Sequence, residues 1–129
     1  MASAALPYLK PSGAGRIVNM SSQAAVVAIP EHAAYGSSKA GLVALTKVLA
    51  VEWARYGITV NAISPTVVET PMVLVGWSGE KGAQAKRDIP VGRFARPSEI
   101  AAAALYLCSA EAGIITGENR VADGGYTVR

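Results

Sequence analysis

A long amphipathic helix pattern between two short apolar segments most constrains what this chain can fold into. From about residue 33 to residue 56, large apolar side chains recur every three or four positions, which predicts a helix with one buried face. These side chains are Leu42, Leu45, Leu49 and Trp53. Gly57 is a typical helix end. Apolar segments at residues 17–20 and 58–63 flank the helix and predict two strands that it connects.

The alternation of strands and helices continues toward the C-terminus. An alanine-rich helix is predicted from residue 97 to about 109, and a third strand near residues 119–122. Strand, helix, strand, helix and strand in this order predict an α/β fold with a parallel sheet and right-handed crossovers. Residues 66–92 contain several prolines and glycines and predict a mobile segment, with one short helix near residues 83–88.

The composition is that of one small globular domain. The chain has 129 residues, of which 51% are hydrophobic and 16% are charged. The net charge of +3 comes from scattered basic residues, so no nucleic-acid partner is expected. The single cysteine, Cys108, excludes an intrachain disulfide and is expected to be buried in its helix. We also expect no metal site, no membrane partner, no leader segment and a cytoplasmic location.

The candidate catalytic residues are Ser22, Tyr35 and Lys39. Tyr35 and Lys39 are one helical turn apart and therefore share a face. An ammonium beside a phenol favours the phenolate, so the tyrosine can exchange a proton with a hydroxyl or carbonyl oxygen. Ser22 ends the first strand, where open α/β sheets place their sites, and can bond the same oxygen. The set suits oxidation of an alcohol or reduction of a carbonyl, with a nicotinamide carrying the hydride.

Five segments resemble, in order and spacing, the short-chain dehydrogenase/reductase family. They are residues 15–22 (GRIVNMSS), 35–40 (YGSSKA), 57–61 (GITVN), 64–72 (SPTVVETPM) and 123–125 (DGG). The resemblance implies that residues 1–129 are the C-terminal portion of one Rossmann-type domain, a doubly wound parallel sheet of about three strands with flanking helices. The family's glycine-rich phosphate-binding turn does not occur in the sequence. We therefore expect the N-terminal dinucleotide-binding half to be absent.

The same resemblance implies a role for each motif residue. Ser22 polarises the reacting oxygen, Tyr35 is the general acid/base, and Lys39 both favours the phenolate and bonds the nicotinamide ribose. The cofactor, NAD or NADP, is expected to contact five residues. They are Tyr35, Lys39, Pro65, Val68 and Thr70. The sequence does not contain the residue that selects between NAD and NADP.

A departure from the family pattern narrows the expected substrate. The family usually has Pro-Gly where this chain has Pro65-Thr66. Together with Gln23, His32 and Trp77, this resembles the branch of L-xylulose reductases and bacterial polyol dehydrogenases, in which those three side chains face the substrate. The alternatives are that His32 is a helix-capping or surface residue and that Trp77 only packs the segment around it.

Three interpretations of function remain open at this point. The first is an NAD(P)-dependent oxidoreductase that interconverts a polyol or secondary alcohol and its ketone. The second is a 3-oxoacyl thioester reductase, a class that normally has Pro-Gly at residues 65–66. The third is a non-catalytic fragment that acts structurally or by association. The family also implies a homo-oligomer, either a dimer or a tetramer, formed through the helix at residues 33–56.

Overall fold

The computed structural model describes residues 2–129 and contains three parallel strands with helices on both faces. The elements in chain order are α1 (Ala2–Leu9), β1 (Arg16–Met20), α2 (Ala33–Trp53), β2 (Thr59–Pro65), α3 (Pro71–Gly76), α4 (Gly79–Arg87), α5 (Pro97–Cys108) and β3 (Asn119–Ala122). Short 3-10 turns lie at Lys10–Ser12, Gln23–Ala25, Ala54–Tyr56 and Tyr126–Val128. The predicted α/β class is confirmed, and β3 has the predicted bounds.

The strand order is β1-β2-β3, and both pairings are parallel. Ile17 lies opposite Val60, and Ala62 lies opposite Asn119. Every residue of β2 is buried because this strand has a partner on each side and helices on both faces. Four residues of β1 are only half-buried and its last is exposed, because within residues 2–129 it pairs with β2 alone.

Alternating side chains on the strands build two separate apolar cores. On one face, Leu49 and Trp53 of α2 pack with Val60 of β2 and with α1. On the other face, Leu107 of α5 packs with Ile63 of β2. Since Val60 and Ile63 are separated by an odd number of positions, they point to opposite faces of the strand. The sheet is therefore covered on both sides, as the predicted doubly wound architecture requires.

The hand of the crossovers differs from the sequence-based expectation. Both connections step across the sheet in the same direction, from β1 to β2 and from β2 to β3. Their helices, α2 and α5, nevertheless pack on opposite faces. Two such crossovers must have opposite hands, so the expectation that both are right-handed is wrong. The rule applies to direct strand-helix-strand units, whereas the path from β2 to β3 passes through α3 and α4 before reaching α5.

The buried face of α2 is shifted from the predicted stripe. Leu49 and Trp53 are buried, but Leu45 is 46% exposed and Thr46 is 1% exposed. The Thr46 hydroxyl donates to the Leu42 carbonyl at 2.8 Å and accepts from the Asn19 side-chain amide at 2.9 Å. Because the Thr46 hydroxyl has a hydrogen-bonding partner both as donor and as acceptor, this polar residue can occupy the buried face.

Two further expectations are corrected by the structure. The segment after β2 contains two helices rather than one: α4 covers the helix predicted near residues 83–88, and α3 was not predicted. The Thr70 hydroxyl caps α3 by accepting from the Val73 amide at 3.3 Å, and a proline at the first helical position favours this start. Cys108 is exposed rather than buried, because it lies on the solvent side of the last turn of α5. Among the described helices, none combines the length and hydrophobicity needed to cross a membrane.

Candidate active site

A cleft of about 660 Å³ lies beside the carboxyl ends of β1 and β2. Its walls are formed by the loop that follows β1, the first turns of α2, the segment that follows β2, and α3 with the residue after it. All nine side chains predicted from the sequence line this one cleft, although they come from four separate parts of the chain. They are Ser22, Gln23, His32, Tyr35, Lys39, Pro65, Val68, Thr70 and Trp77. Parallel strands bring their carboxyl ends to the same edge of a sheet, which explains the convergence.

The end of β1 is fixed by bonds to both of its neighbours. The Ser21 amide donates to the Ile63 carbonyl at 2.7 Å, and the Ser21 hydroxyl donates to the Lys39 carbonyl at 3.0 Å. Ser22 is buried, and its hydroxyl oxygen accepts from the Ala24 amide at 3.2 Å. That contact leaves the hydroxyl hydrogen of Ser22 available to donate to a ligand in the cleft.

Tyr35 and Lys39 are adjacent on the first turns of α2. The Lys39 Nζ atom lies 5.6 Å from the centroid of the Tyr35 ring. It also donates to the Met20 carbonyl, the last of β1, at 3.0 Å. An ammonium has three donors, so this bond positions the group while others remain for a ligand. Tyr35 is 46% exposed, and its ring can therefore be reached from the cleft.

Gly36 allows α2 to approach the turn that follows Ser22. A Cβ atom at this position would lie 3.0 Å from the Ala24 carbonyl oxygen, closer than nine in ten real Cβ contacts. The absence of a side chain therefore sets how near the helix comes to the Gln23–Ala25 turn. Because Tyr35 immediately precedes Gly36, the same contact brings the phenol and the Ser22 hydroxyl to one cleft.

His32 and Gln23 add polar groups to the cleft. The His32 Nδ1 atom lies 2.7 Å from the Pro30 carbonyl, which can only accept, so Nδ1 carries a hydrogen. The His32 ring meets the Tyr35 ring edge-on at 6.2 Å, and no side-chain bond from His32 caps α2. Gln23 is 7% exposed, and its Oε1 atom has no hydrogen-bonding partner among the described residues. A buried acceptor of this kind favours a ligand that brings a donor.

The wall formed by the end of β2 and by α3 is mostly apolar. The backbone is held here by a bridge between Val68 and Ala95, with the Ala95 amide donating to the Val67 carbonyl at 2.9 Å. Trp77 lines the cleft and also packs edge-on against Phe94 at 6.2 Å. The packing role considered for Trp77 is therefore present, and it does not remove the ring from the cleft.

Sequence reasoning assigned no role to several side chains that line the cleft. They are Met20, Ser21, Ile29, Thr66, Val67, Met72 and Val73. Thr66 had a visible signal in the sequence, since it replaces the glycine expected after Pro65. In the structure its Oγ1 atom is buried and has no hydrogen-bonding partner within residues 2–129. Within residues 2–129, no group of three or more His, Cys, Asp or Glu is placed to hold a metal ion.

Comparison with known proteins gives consistent matches over most of the chain. The profile of a family described as enoyl-(acyl carrier protein) reductase matches residues 1–127. An NAD-dependent glycerol dehydrogenase of Listeria innocua is 54% identical over 118 residues, which are 92% of this chain and 46% of that protein. A D-threitol dehydrogenase of Mycolicibacterium smegmatis is 53% identical over 118 residues, 92% of this chain and 45% of that protein. The chain thus spans about half the length of these curated relatives.

Solved structures agree with the sequence matches. The structure described as ElxO with NADP bound superposes with a TM-score of 0.88 at 29% identity, over 97% of this chain and 51% of that one. The predicted resemblance to bacterial polyol dehydrogenases is confirmed by the two curated relatives. The order of the motifs, the parallel sheet and the family profile agree, and the chain belongs to the short-chain dehydrogenase/reductase family.

Proposed function

We propose that this protein is an NAD(P)-dependent oxidoreductase that interconverts a polyol or another secondary alcohol and its ketone. The observation that carries the proposal is that Ser22, Tyr35 and Lys39 line one cleft, together with the six other residues expected to contact cofactor or substrate. The names of the curated relatives, a glycerol dehydrogenase and a D-threitol dehydrogenase, support the substrate class.

The cleft fits the nicotinamide end of a dinucleotide. Pro65, Val67 and Val68 provide an apolar wall on which a flat ring can pack, and Lys39 has free donors for a ribose hydroxyl. When bound, the nicotinamide would accept or donate the hydride. Thr70 lies on the same wall, but its hydroxyl oxygen already accepts from the amide of Val73. The hydroxyl hydrogen of Thr70 is therefore available to donate to a cofactor.

The proton is handled by the side chains opposite this wall. Tyr35 gives its phenolic proton to the carbonyl oxygen of a ketone, or takes the proton of an alcohol in the reverse direction. Lys39 places a positive charge beside the phenol and so stabilises negative charge on its oxygen. Ser22 donates its hydroxyl hydrogen to the reacting oxygen and holds it near the phenol.

Gln23, His32 and Trp77 are proposed to contact the substrate. A polyol offers several hydroxyl donors, and one of them would satisfy the buried Gln23 Oε1 atom. The acyl chain of a 3-oxoacyl thioester carries no hydroxyl donor of this kind, so the Gln23 Oε1 atom favours the polyol over the 3-oxoacyl substrate. Among the matched proteins, the glycerol dehydrogenase is described as NAD-dependent and ElxO as NADP-bound, and both cofactors therefore need testing.

Association through α2 is a second candidate function, favoured by a specific observation. Leu45, Val48 and Val51 are 46%, 52% and 81% exposed along this helix. Large apolar side chains grouped on one surface favour contact between copies. We therefore propose that the protein forms a homo-oligomer through the helix at residues 33–56, whether or not the cleft is catalytic. Light scattering on the wild-type protein and on a Val48→Lys, Val51→Lys variant tests this.

The test of the enzymatic proposal is a pair of tyrosine variants. Tyr35→Phe should lower kcat for oxidation of small polyols with NAD or NADP by about 100- to 10,000-fold, the usual share of a general acid/base. Tyr106→Phe is the matched control, because Tyr106 is similarly exposed but lies on α5, outside the cleft. Both variants should unfold at the wild-type temperature. Near-normal turnover by Tyr35→Phe would refute the assignment.

A cheaper observation separates the enzyme from a non-catalytic fragment. The DNA upstream of Met1 can be read for an in-frame glycine-rich turn, the family element that is not found in these 129 residues. Its presence would supply the phosphate-binding half and support the enzymatic proposal. Its absence, combined with a lack of saturable NADH or NADPH binding in calorimetry, would favour the associating fragment.

A further inference from the structure

Glu31 has a backbone conformation that a residue with a side chain rarely adopts. Its φ angle is 65°, and among residues 2–129 every other residue with a positive φ is a glycine. In the left-handed region the Cβ atom comes too close to the following carbonyl oxygen, so glutamate is disfavoured there. Strain of this kind persists where surrounding contacts hold it, and it is concentrated at functional sites.

The turn that contains Glu31 is closed by one backbone hydrogen bond. The His32 amide donates to the Ile29 carbonyl at 3.2 Å, so Pro30 and Glu31 are the two central residues of a four-residue turn. Proline at the second position and a positive φ at the third are the marks of a type II turn. Type I and type II turns differ by a rotation of roughly 150° in the ψ angle of the second residue. The carbonyl that this rotation reorients is that of Pro30.

The Pro30 carbonyl fixes the ring of His32. The Nδ1 atom of the ring lies 2.7 Å from this oxygen and carries the hydrogen between them, because a carbonyl can only accept. The His32 backbone is also held, since its carbonyl accepts from the Gly36 amide at 2.7 Å. In a neutral imidazole with a hydrogen on Nδ1, the Nε2 atom is an acceptor. A type I turn would rotate the Pro30 carbonyl away and leave either ring nitrogen free to carry the hydrogen.

Glu31 acts on the cleft through His32 rather than through its own side chain. His32 lines the main cleft, whereas Glu31 lines a smaller cavity of about 310 Å³ that shares Ile29 and His32 with it. The His32 ring meets the Tyr35 ring edge-on at 6.2 Å, so its place is set relative to the proposed general acid/base. With Nδ1 bound to the backbone, Nε2 is the polar atom of the ring left for a ligand, and it takes a hydrogen but cannot give one.

We propose that Glu31 is a positioning residue, whose left-handed backbone holds the His32 ring with its Nδ1 hydrogen on the Pro30 carbonyl and so makes Nε2 an acceptor for a substrate hydroxyl. This inference rests on the proposed function, since it requires a polyol in the cleft. The hydroxyl concerned is one beside the reacting oxygen, which Ser22 and Tyr35 contact. A substrate carbonyl or carboxylate in the same place has no hydrogen to give, so the turn selects for a hydroxyl at that position.

The first measurement reads the tautomer of His32 directly, without activity. His32 is the single histidine of the chain, so tag-free protein labelled with ¹⁵N-histidine gives one imidazole whose signals need no assignment. Spectra recorded in alkaline buffer, to exclude the doubly protonated ring, distinguish a hydrogen on Nδ1 from one on Nε2. The wild-type protein should carry it on Nδ1.

Four variants of Glu31 separate its backbone from its charge. Glu31→Gly and Glu31→Asn tolerate a positive φ and should keep the hydrogen on Nδ1. Glu31→Val disfavours a positive φ, because valine is β-branched, and should move the hydrogen toward Nε2, the position that free histidine prefers. Glu31→Gln is the matched control: it removes the charge, keeps the shape of the side chain and should give the wild-type spectrum.

The second measurement is steady-state kinetics with small linear polyols and NAD or NADP. Glu31→Val should raise KM for the polyol roughly three- to tenfold, the effect of one hydrogen bond. Its kcat, and its Kd for NADH or NADPH by calorimetry, should stay within about twofold of wild type. Glu31→Asn should have the wild-type KM. In a His32→Phe background, Glu31→Val should leave KM unaltered, because Glu31 acts through His32.

Four results would overturn the inference. One is a wild-type protein with the hydrogen on Nε2, and another is a Glu31→Val protein in which either the tautomer or KM stays that of wild type. The third is a Glu31→Gln protein with the defects of Glu31→Val, which would attribute the effect to the charge. The fourth is a lowered unfolding temperature with an equal loss of polyol and dinucleotide binding, which would make the role of the turn purely structural. A wild-type protein that turns over no polyol would instead refute the proposed function itself, and the spectra would then show whether Glu31 still sets the tautomer.

Discussion

Replacing Gly36 by alanine tests whether close approach of α2 to the turn after Ser22 builds the site. A Cβ atom at Gly36 would lie 3.0 Å from the Ala24 carbonyl oxygen, whereas ordinary contacts begin at 3.4 Å. The same helix contains Gly41, where an added Cβ meets nothing within 4 Å. The two positions differ in surroundings but share the helix, so Gly41→Ala is the matched control.

The expected free energies of unfolding follow from two opposing terms. Alanine is favoured over glycine inside a helix by about 1 kcal/mol, and Gly41→Ala should gain roughly this amount. At Gly36 the same gain is opposed by overpacking, which costs about 1–3 kcal/mol. Gly36→Ala should therefore be less stable than Gly41→Ala by about 1–3 kcal/mol, a gap of roughly 3–6 °C in Tm for each kcal/mol.

Thermal unfolding followed by circular dichroism measures the stability gap, and dinucleotide titration measures the site. Gly36→Ala should weaken cofactor binding because α2 must withdraw and take Tyr35 with it, whereas Gly41→Ala should bind like wild type. If both variants gain the same stability and bind equally well, the contact between Gly36 and Ala24 does not set the position of the helix, and the reasoning fails.

Two further predictions concern the fold. The fully buried Asn61 side chain bonds the Ile115 carbonyl at 2.8 Å and the Glu118 amide at 3.0 Å. Asn61→Leu leaves both groups unpaired and should lower the free energy of unfolding, measured in urea, by about 2–5 kcal/mol. An unchanged urea midpoint would contradict this. Hydrogen bonds from the Arg93 side chain, and then from a backbone amide, lower the pKa of Glu99 from 4.5 to about 2. A carboxyl whose pKa is lower in the folded than in the unfolded protein stabilises the fold at any pH above its unfolded-state pKa. Stability should therefore fall as the pH drops from about 4.5 to about 2. Glu99→Gln should flatten that part of the pH–stability curve.

The fold was predictable wherever local pattern and tertiary structure agree. The strand near residues 119–122 and the helix from Pro97 lie where the sequence places them, because apolar periodicity and a proline at the first helical turn are local signals. The burial of Thr46 was not predictable, since it depends on Asn19, twenty-seven positions away in the chain. The hand of the second crossover was equally hidden, because it depends on which face α5 covers.

The sequence predicts which side chains line the site, but not the hydrogen bonds that hold them in place. Motif residues on different elements could be assigned to one cleft because parallel strands end at the same edge. The backbone carbonyls that fix them have no sequence signature, as the bond from Lys39 to the Met20 carbonyl shows. The unpaired atoms of Gln23 and Thr66 also depend on three-dimensional surroundings, and these atoms carry the information about ligands.

Two polar side chains of β1 and the residue after it fix this edge strand to α2. This strand leads into the site through Met20, Ser21 and Ser22, yet among residues 2–129 it pairs with one neighbour only. A strand with a neighbour on one side only leaves a row of backbone groups unpaired and has fewer hydrogen bonds to fix its position than a central strand. Asn19 and Ser21 are two positions apart, and each bonds α2, Asn19 to the Thr46 hydroxyl and Ser21 to the Lys39 carbonyl. These bonds tie the strand to the helix that carries Tyr35, so the serine and the phenol are held together by α2 rather than by the sheet alone.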